Sequence, residues 1–373
     1  MFAAGVLLFL GCAVHCAGGE PPAKNAEGNM SNPFVYVSGY DNLVSCFVLD
    51  MATGALKPSS TSDGGKNPTY LAWHPSRKYM YAVNELGQGS VTAFAINPQD
   101  GALTKINDAP SNGRGPCHVS VHPNGKWVFV ANYSSGTIGV LPVKADGGVG
   151  EPKVKETPGK NAHMIFADPT GRFVFVPCLG SNYVAQFTFD PTTGELKPND
   201  PPVVPTAPGA GPRHLALHPN GRCAYLINEL DCTITSFAYD AASGKLSNPK
   251  TLPTLPAGVE LKGNSGAHVL VSPNGKFVYA SNREHDSIAI YAADPESGQL
   301  KLVGHENGGG DIKVPRDFTL DPSGKFLLVA NQKAGTVTAF RCSAERGTLE
   351  KLDTIKVPPG PAFVGVMVVP PAP

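Results

Sequence analysis

Residues 122–132 read HPNGKWVFVAN, and the same phrase returns five more times with small changes. It stands as HPSRKYMYAVN at 74–84, DPTGRFVFVPC at 168–178, HPNGRCAYLIN at 218–228, SPNGKFVYASN at 272–282 and DPSGKFLLVAN at 321–331. Each copy is a polar turn opened by Pro, then a run rich in Val, Phe and Tyr, the composition of a strand. A short apolar segment precedes every Pro, and a third apolar segment follows every copy, as in SVTAFAI at 90–96 and TITSFAY at 233–239. A second marker, Asp/Asn-x-x-x-Gly-x-Leu, then leads into a fourth. It reads DMATGAL, NPQDGAL, DPTTGEL, DAASGKL and DPESGQL, with looser copies KADGGVG and SAERGTL, and its glycines fall 46 to 54 residues apart. Gly at a fixed place in a polar turn suits a hairpin that needs positive φ. Four antiparallel strands per repeat of this length make one propeller blade.

The two markers disagree in number, and that sets the closure. Six Pro turns stand against seven Gly turns. The N-terminal piece FVYVSGYDNLVSCFVLDMATGALKP, residues 34–58, supplies strands two to four of a blade and lacks strand one. The end of the chain, GPAFVGVMVVP at 360–370, supplies an orphan first strand. Joining them predicts an all-β, seven-bladed β-propeller with four antiparallel strands per blade, its ring closed by the C-terminal strand pairing with N-terminal strands. Closure of this kind removes the open sheet edge.

Composition agrees with a single large core: of 373 residues, 41% are hydrophobic. The length would allow two domains, but the repeat occupies residues 32–373 as one. Net charge is zero and no basic run occurs, which argues against nucleic acid or an anionic membrane surface as partner. Residues 1–19 hold an apolar stretch and then small residues, the pattern of an export signal, with 20–31 as a linker. An exported protein, periplasmic or secreted, is expected if that leader is used, and a cytoplasmic one otherwise. No later segment is long and apolar enough to span a membrane. The six cysteines beyond the leader show no CxxC pair and no metal-ligand spacing, so they read as small buried hydrophobes.

Strands one and two of a blade are antiparallel, so the start of the first and the end of the second share one face of the ring. Six positions before each Pro stand Thr69, Cys117, His163, Arg213, Ala267 and Arg316; one position later stand Tyr70, His118, Met164, His214, His268 and Asp317. At the end of strand two come Asn84-Glu85, Asn132-Tyr133, Cys178-Leu179, Asn228-Glu229, Asn282-Arg283 and Asn331-Gln332. One mouth of the channel therefore gathers Arg213, Arg283, Arg316, Glu85, Glu229, His118, His163, His214 and His268. Convergent polar groups in a concavity are the default site. The recurring histidines His118, His214 and His268 also suit hydrogen bonding between blades, and the recurring Asn suits a loop cap. The His before Pro (His74, His122, His218) reads as a turn cap. His163, Arg213, Glu229, Arg283 and Arg316 are departures that the repeat does not require, and an Arg–Glu network clamping adjacent blades is their structural alternative.

Three stretches carry a resemblance: GAGPRHLALHPNGRCAYLINEL at 209–230, GAHVLVSPNGKFVYASNREHDSIAIY at 266–291 and PRDFTLDPSGKFLLVANQ at 315–332. They resemble the lactonase-type propellers, which include bacterial propeller 6-phosphogluconolactonases and fungal carboxy-cis,cis-muconate cyclases. In the cyclase branch a His, two Arg and a Glu are implicated at the site. By motif they correspond to His163, Arg213, Glu229 and Arg283.

The expectation is a hydrolase that opens a sugar δ-lactone, 6-phosphogluconolactone first, without metal or other cofactor. His163 would be the general base, and Arg213 and Arg283 would hold the oxyanion or an anionic tail. Glu229 would orient an Arg or share proton transfer. Arg316 would meet phosphate, with His118, His214, His268 and Glu85 as further substrate contacts. The only partner expected is the small-molecule lactone, and the protein is expected to be a monomer. A lactonising cycloisomerase using the same residues is the second reading. A non-catalytic exported scaffold is the third, since VFVANYSSGTIGV and LLVANQKAGTVTAF resemble surface propeller repeats.

Overall fold

The computed structural model describes residues 33–368. The leader at 1–19 and the linker at 20–31 lie outside the described residues. Among those described, twenty-eight strands, β1–β28 in chain order, form seven four-stranded antiparallel sheets. Blade 1 has the order β28-β1-β2-β3, so Pro361–Met367 (β28) lies innermost beside Phe34–Gly39 (β1), Leu43–Leu49 (β2) and Leu56–Asp63 (β3). The register runs from Phe34 opposite Met367 to Ser38 opposite Phe363. The closure expected from the six-against-seven count is what the chain adopts.

The remaining inner strands are β4 (Pro68–Trp73), β8 (Pro116–Val121), β12 (Phe166–Ala167), β16 (Pro212–Leu217), β20 (Ser265–Val271) and β24 (Pro315–Leu320), one for each of blades 2 to 7. Second strands such as β9 (Trp127–Asn132) and β17 (Cys223–Asn228) are buried throughout, because neighbouring blades cover both of their faces. Outer strands such as β3 expose half of their residues and bury only one in eight. The core therefore lies in layers between blades, as where Trp127, Phe129 and Val140 of blade 3 meet Ile165, Val174 and Val176 of blade 4.

The repeat markers also fasten one blade to the next. All seven Gly-turn glycines take positive φ, from 67° to 84°. Gly101 at φ 71° accepts a bond from the Tyr36 hydroxyl of the preceding blade at 2.9 Å. Tyr81 to Gly147 and Tyr279 to Gly347 repeat the contact at 3.0 Å. The His before Pro does more than cap its turn. His122 Nδ1 accepts the Asn124 N–H at 3.1 Å, while its Nε2 meets the Gly171 carbonyl of the next blade at 2.9 Å. His74 and His218 reach Gly125 and Gly275 likewise. The Asn at the end of strand two caps a loop, as Asn282 Nδ2 does on the Thr254 carbonyl at 2.7 Å. All six cysteines of the described residues are free thiols, and five are buried.

Blade 4 is irregular. Its inner strand has only two residues, and His163 lies ahead of it. The cause is in β13 (Phe173–Cys178), where Pro177 occupies the place that Ala131 and Ile227 hold when they pair with His118 and His214. Proline has no N–H for the ladder. Its carbonyl still accepts the His163 N–H at 3.0 Å, and the side chain is held at the channel mouth without a regular strand around it.

Candidate active site

Two concentric rings of residues build the mouth. Inner strands supply one ring at their second residue, with a register shift beside it in β4, β8, β16 and β24 that re-aims the side chain. The turns after the second strands supply the other. Arg213 comes from the first ring; Glu229, just after β17, and Arg283, the last residue of β21 (Phe277–Arg283), come from the second.

These three make one charged cluster. Glu229 Oε2 lies 2.9 Å from Arg213 Nε and 3.0 Å from Arg283 Nη2. The Arg213 Nε–H points off the line to Oε2, so that pair is an ionic contact more than an aligned hydrogen bond. Arg213 also donates through Nη1 to the Ala267 carbonyl, and Arg283 Nη2 donates to the Gly266 carbonyl at 3.0 Å. Because Ala267 and Gly266 belong to blade 6, the cluster clamps blades 5 and 6, as its structural alternative requires. It is not sealed, however: the Arg213 side chain is 3% exposed, but Glu229 and Arg283 are 18% and 13% exposed. Burial pushes the Arg213 guanidinium down to about 10, opposed by Glu229, so it stays cationic at neutral pH.

His163 completes this half of the mouth. Its ring stands edge-on to Tyr133 at 5.5 Å and to His214 at 5.2 Å. Among the described residues its Nδ1 has no hydrogen-bond partner. Burial first, then Arg213 and Arg316, hold the imidazole pKa well below its usual 6.5. The ring is therefore neutral at pH 7, with a lone pair to receive a proton.

Arg316 and Glu85 form the opposite half. Tyr40 stands between them, donating to Glu85 Oε2 at 3.2 Å with the Arg316 guanidinium 5.4 Å from its ring centre. Between the two halves lies a polar cavity of ≈ 10 Å³ walled by Glu85, Cys117, Arg213, His214 and Arg316. That space holds about one water-sized group. Any ligand larger than a water has to lie across the mouth, with only an oxygen-sized group entering between Arg213 and Arg316.

The three column histidines expected to touch substrate sit one residue further along their strands than the Arg213 column, and each is only 2–3% exposed. His118 packs on Tyr70 at 4.3 Å and faces His214 at 5.7 Å across the channel, while Tyr70 meets Phe363 at 4.9 Å. Of the three histidines, His214 lines the cavity, together with Tyr70 and Asp317 of the same column. Tyr133 and Tyr40 were missed. Tyr133 follows Asn132 in the column of Glu85 and Glu229, which was signal enough. Tyr40 follows Gly39, where blade 1 lacks the marker Asn.

The mouth thus carries three guanidinium groups, two carboxylates and a neutral imidazole, with a space for one oxygen between Arg213, Arg316 and Glu85. That describes a propeller built for acid–base chemistry on a small molecule that is, or becomes, anionic. Residues 34–366 match the family described as lactonase, 7-bladed beta-propeller, and the chain belongs to that family. It is 34% identical over 319 residues to the 6-phosphogluconolactonase of Pectobacterium carotovorum, covering 85% of this chain and 93% of the relative. The 6-phosphogluconolactonase of Bacillus subtilis is 33% identical, over 87% of this chain and 94% of its own. Among solved structures, the periplasmic gluconolactonase PpgL of Pseudomonas aeruginosa superposes with a TM-score of 0.84 at 29% identity, over 91% of this chain and all of that one.

Proposed function

We propose that the mouth hydrolyses a sugar δ-lactone, with 6-phosphogluconolactone the first candidate. The observation that carries this is the meeting of Arg213, Glu229 and Arg283 beside a neutral, buried His163 in a chain of the lactonase family. His163 takes a proton from water as the water adds to the lactone carbonyl carbon. The tetrahedral oxyanion enters the cationic space between the arginines, and preorganised charge there favours the transition state over the neutral ground state. The ring C–O bond then breaks, and the imidazolium returns the proton to the departing ring oxygen, which leaves as a hydroxyl. Glu229 keeps both guanidinium planes turned to the mouth. As charge develops on the oxyanion, it offsets the arginines that depress His163, so the base strengthens as the reaction needs it. Arg316, across the cavity, receives the substrate's phosphate.

A second reading drops the phosphate. The apolar leader at residues 1–19 favours an exported protein, and the superposing Pseudomonas aeruginosa protein is described as a periplasmic gluconolactonase. An exported copy would meet unphosphorylated lactones. The ring closes on its own chain, which supports a monomer. Turnover of 6-phosphogluconolactone, glucono-1,5-lactone and a muconate by the full chain, corrected for spontaneous opening, is the test. Hydrolysis of either lactone supports the proposal and the phosphate requirement chooses between the readings; turnover of the muconate alone would replace hydrolysis with cycloisomerisation.

A further inference from the structure

Beneath Arg213 a line of buried polar groups crosses three blades. The Arg213 Nη1 lies 3.4 Å from His214 Nε2. On its other side, His214 Nδ1 lies 2.6 Å from His268 Nδ1. His268 Nδ1 in turn stands 3.5 Å from Asp317 Oδ1, and Asp317 Oδ2 accepts the Val364 N–H of β28 at 3.1 Å. All three side chains are 2–3% exposed. We propose that His214 and His268 are positioning residues that fix the guanidinium of Arg213, with His268 as the acceptor that sets the tautomer of His214. The proposal rests on the reading of Arg213 as the group that meets the oxyanion.

Donor and acceptor rules carry the argument. A guanidinium nitrogen only donates, so His214 must present a lone pair at Nε2. A neutral His214 then carries its proton on Nδ1, and that N–H needs an acceptor at 2.6 Å. His268 Nδ1 is that acceptor, which leaves the His268 proton on Nε2. With the opposite tautomers, His214 would turn an N–H toward Arg213, and two donors would face each other. In the first arrangement the single lone pair of His268 Nδ1 is taken by His214, so Asp317 Oδ1, 3.5 Å away and without a hydrogen-bond partner among the described residues, borders the array without bonding to it. Burial, then Arg213, holds the His214 imidazole well below its usual 6.5, which agrees with a neutral ring. Arg213 is thus fixed by His214, and His214 by His268 of the next blade.

Three substitutions of His268 test it. Asn places an acceptor where Nδ1 stands, Gln places one nearer Nε2, and Leu keeps the volume without any acceptor. Lactone turnover and thermal melting are measured for each, with crystal structures of wild type and His268→Leu. The expected result is that His268→Leu and His268→Gln lower kcat by about 10- to 100-fold, the scale of a misplaced catalytic group. KM should move less, since the guanidinium acts on the transition state. His268→Asn should restore most of the turnover. In the His268→Leu crystal the Arg213 guanidinium should leave its contact with Glu229. Equal kcat for Asn and Gln, or wild-type kcat in His268→Leu with Arg213 unmoved, overturns the proposal. Should His268→Leu not fold, the Asn and Gln pair decides alone. If wild type turns over no lactone, it is the hydrolase reading that fails, and the position of Arg213 in crystals of the Leu or Gln variant still decides the array.

Discussion

Replacing His163 with Gln separates chemistry from architecture at one position. The ring is 6% exposed, wedged edge-on between Tyr133 and His214, and its Nδ1 makes no hydrogen bond to the described residues. Gln is of similar size and leaves no protein partner stranded, so the loss of the ring contacts should cost about 1 kcal/mol of stability. Loss of a positioned base should lower kcat by about 10²–10⁴-fold, equivalent to about 2.7–5.5 kcal/mol of barrier. The pH dependence is more diagnostic than the rate. Burial and three guanidinium groups disfavour the imidazolium, so the free enzyme keeps His163 deprotonated from neutral pH down past its usual 6.5. The acid limb of kcat/KM, which reports the free enzyme, should therefore lie well below pH 6.5. A bound phosphate dianion offsets the arginines and favours the imidazolium, so the acid limb of kcat should lie higher than that of kcat/KM. With an unphosphorylated lactone the two limbs should nearly coincide. The assay is stopped-flow lactone hydrolysis between about pH 5 and about pH 7.5, where uncatalysed opening is slowest, with circular dichroism melts of both proteins. An acid limb of kcat/KM above 6.5, or His163→Gln within a few-fold of wild type, would show that another group carries the proton.

Arg213→Lys keeps the charge but loses the fork that meets Glu229, the Ala267 carbonyl and His214 together, so kcat should fall by about 10²-fold with little compensation from added salt, checked in the same assay. Deleting residues 361–373 removes the buried side chains of Phe363, Val364, Val366 and Met367. At about 1.5–3 kcal/mol each the loss is about 6–12 kcal/mol, comparable to the whole stability of a typical domain at about 5–15 kcal/mol; no cooperative melt should remain. The buried Asp317 carboxyl rises from 3.8 in the unfolded chain to about 7 in the fold, so its contribution to stability is complete below 3.8 and is lost as pH rises through 7. Asp317→Asn should remove a slope of up to about 1.4 kcal/mol per pH unit across that window, read from urea midpoints.

The architecture was legible because it is periodic: two turn markers, counted separately, gave blade number, strand order and closure. The mouth was legible for the complementary reason. His163, Arg213, Glu229 and Arg283 interrupt the repeat, and a residue that the repeat does not need is kept for something else. Periodicity gave no view of depth. His118, His214 and His268 share one column and the correct face, yet of these three His214 alone lines the cavity. That Pro177 shortens the inner strand of blade 4 was visible only once its pairing partner was known. Tyr40 escaped because Gly39 replaces the Asn that marks the same turn in other blades. The hydrogen bonds from His122 and His218 to the next blade were equally hidden, since Nδ1 capping the local turn already accounted for the residue.

Closure and chemistry depend on the same strand. β28 fills the inner place of blade 1, and blade 1 stands between the two ends of the repeat. Its turn brings Tyr40 between Arg316 of blade 7 and Glu85 of blade 2. Its inner strand gives the Val364 N–H to Asp317, which lines the cavity beside Arg213 and Arg316. A propeller closed by simple end-to-end docking of complete blades would offer no chain terminus at these points. Here the joint between first and last repeats lies against the site, so any loosening of the closure reaches both halves of the mouth at once. Stability of the ring and placement of its arginines are therefore expected to fail together when the joint is cut, and separately when a single site residue is changed.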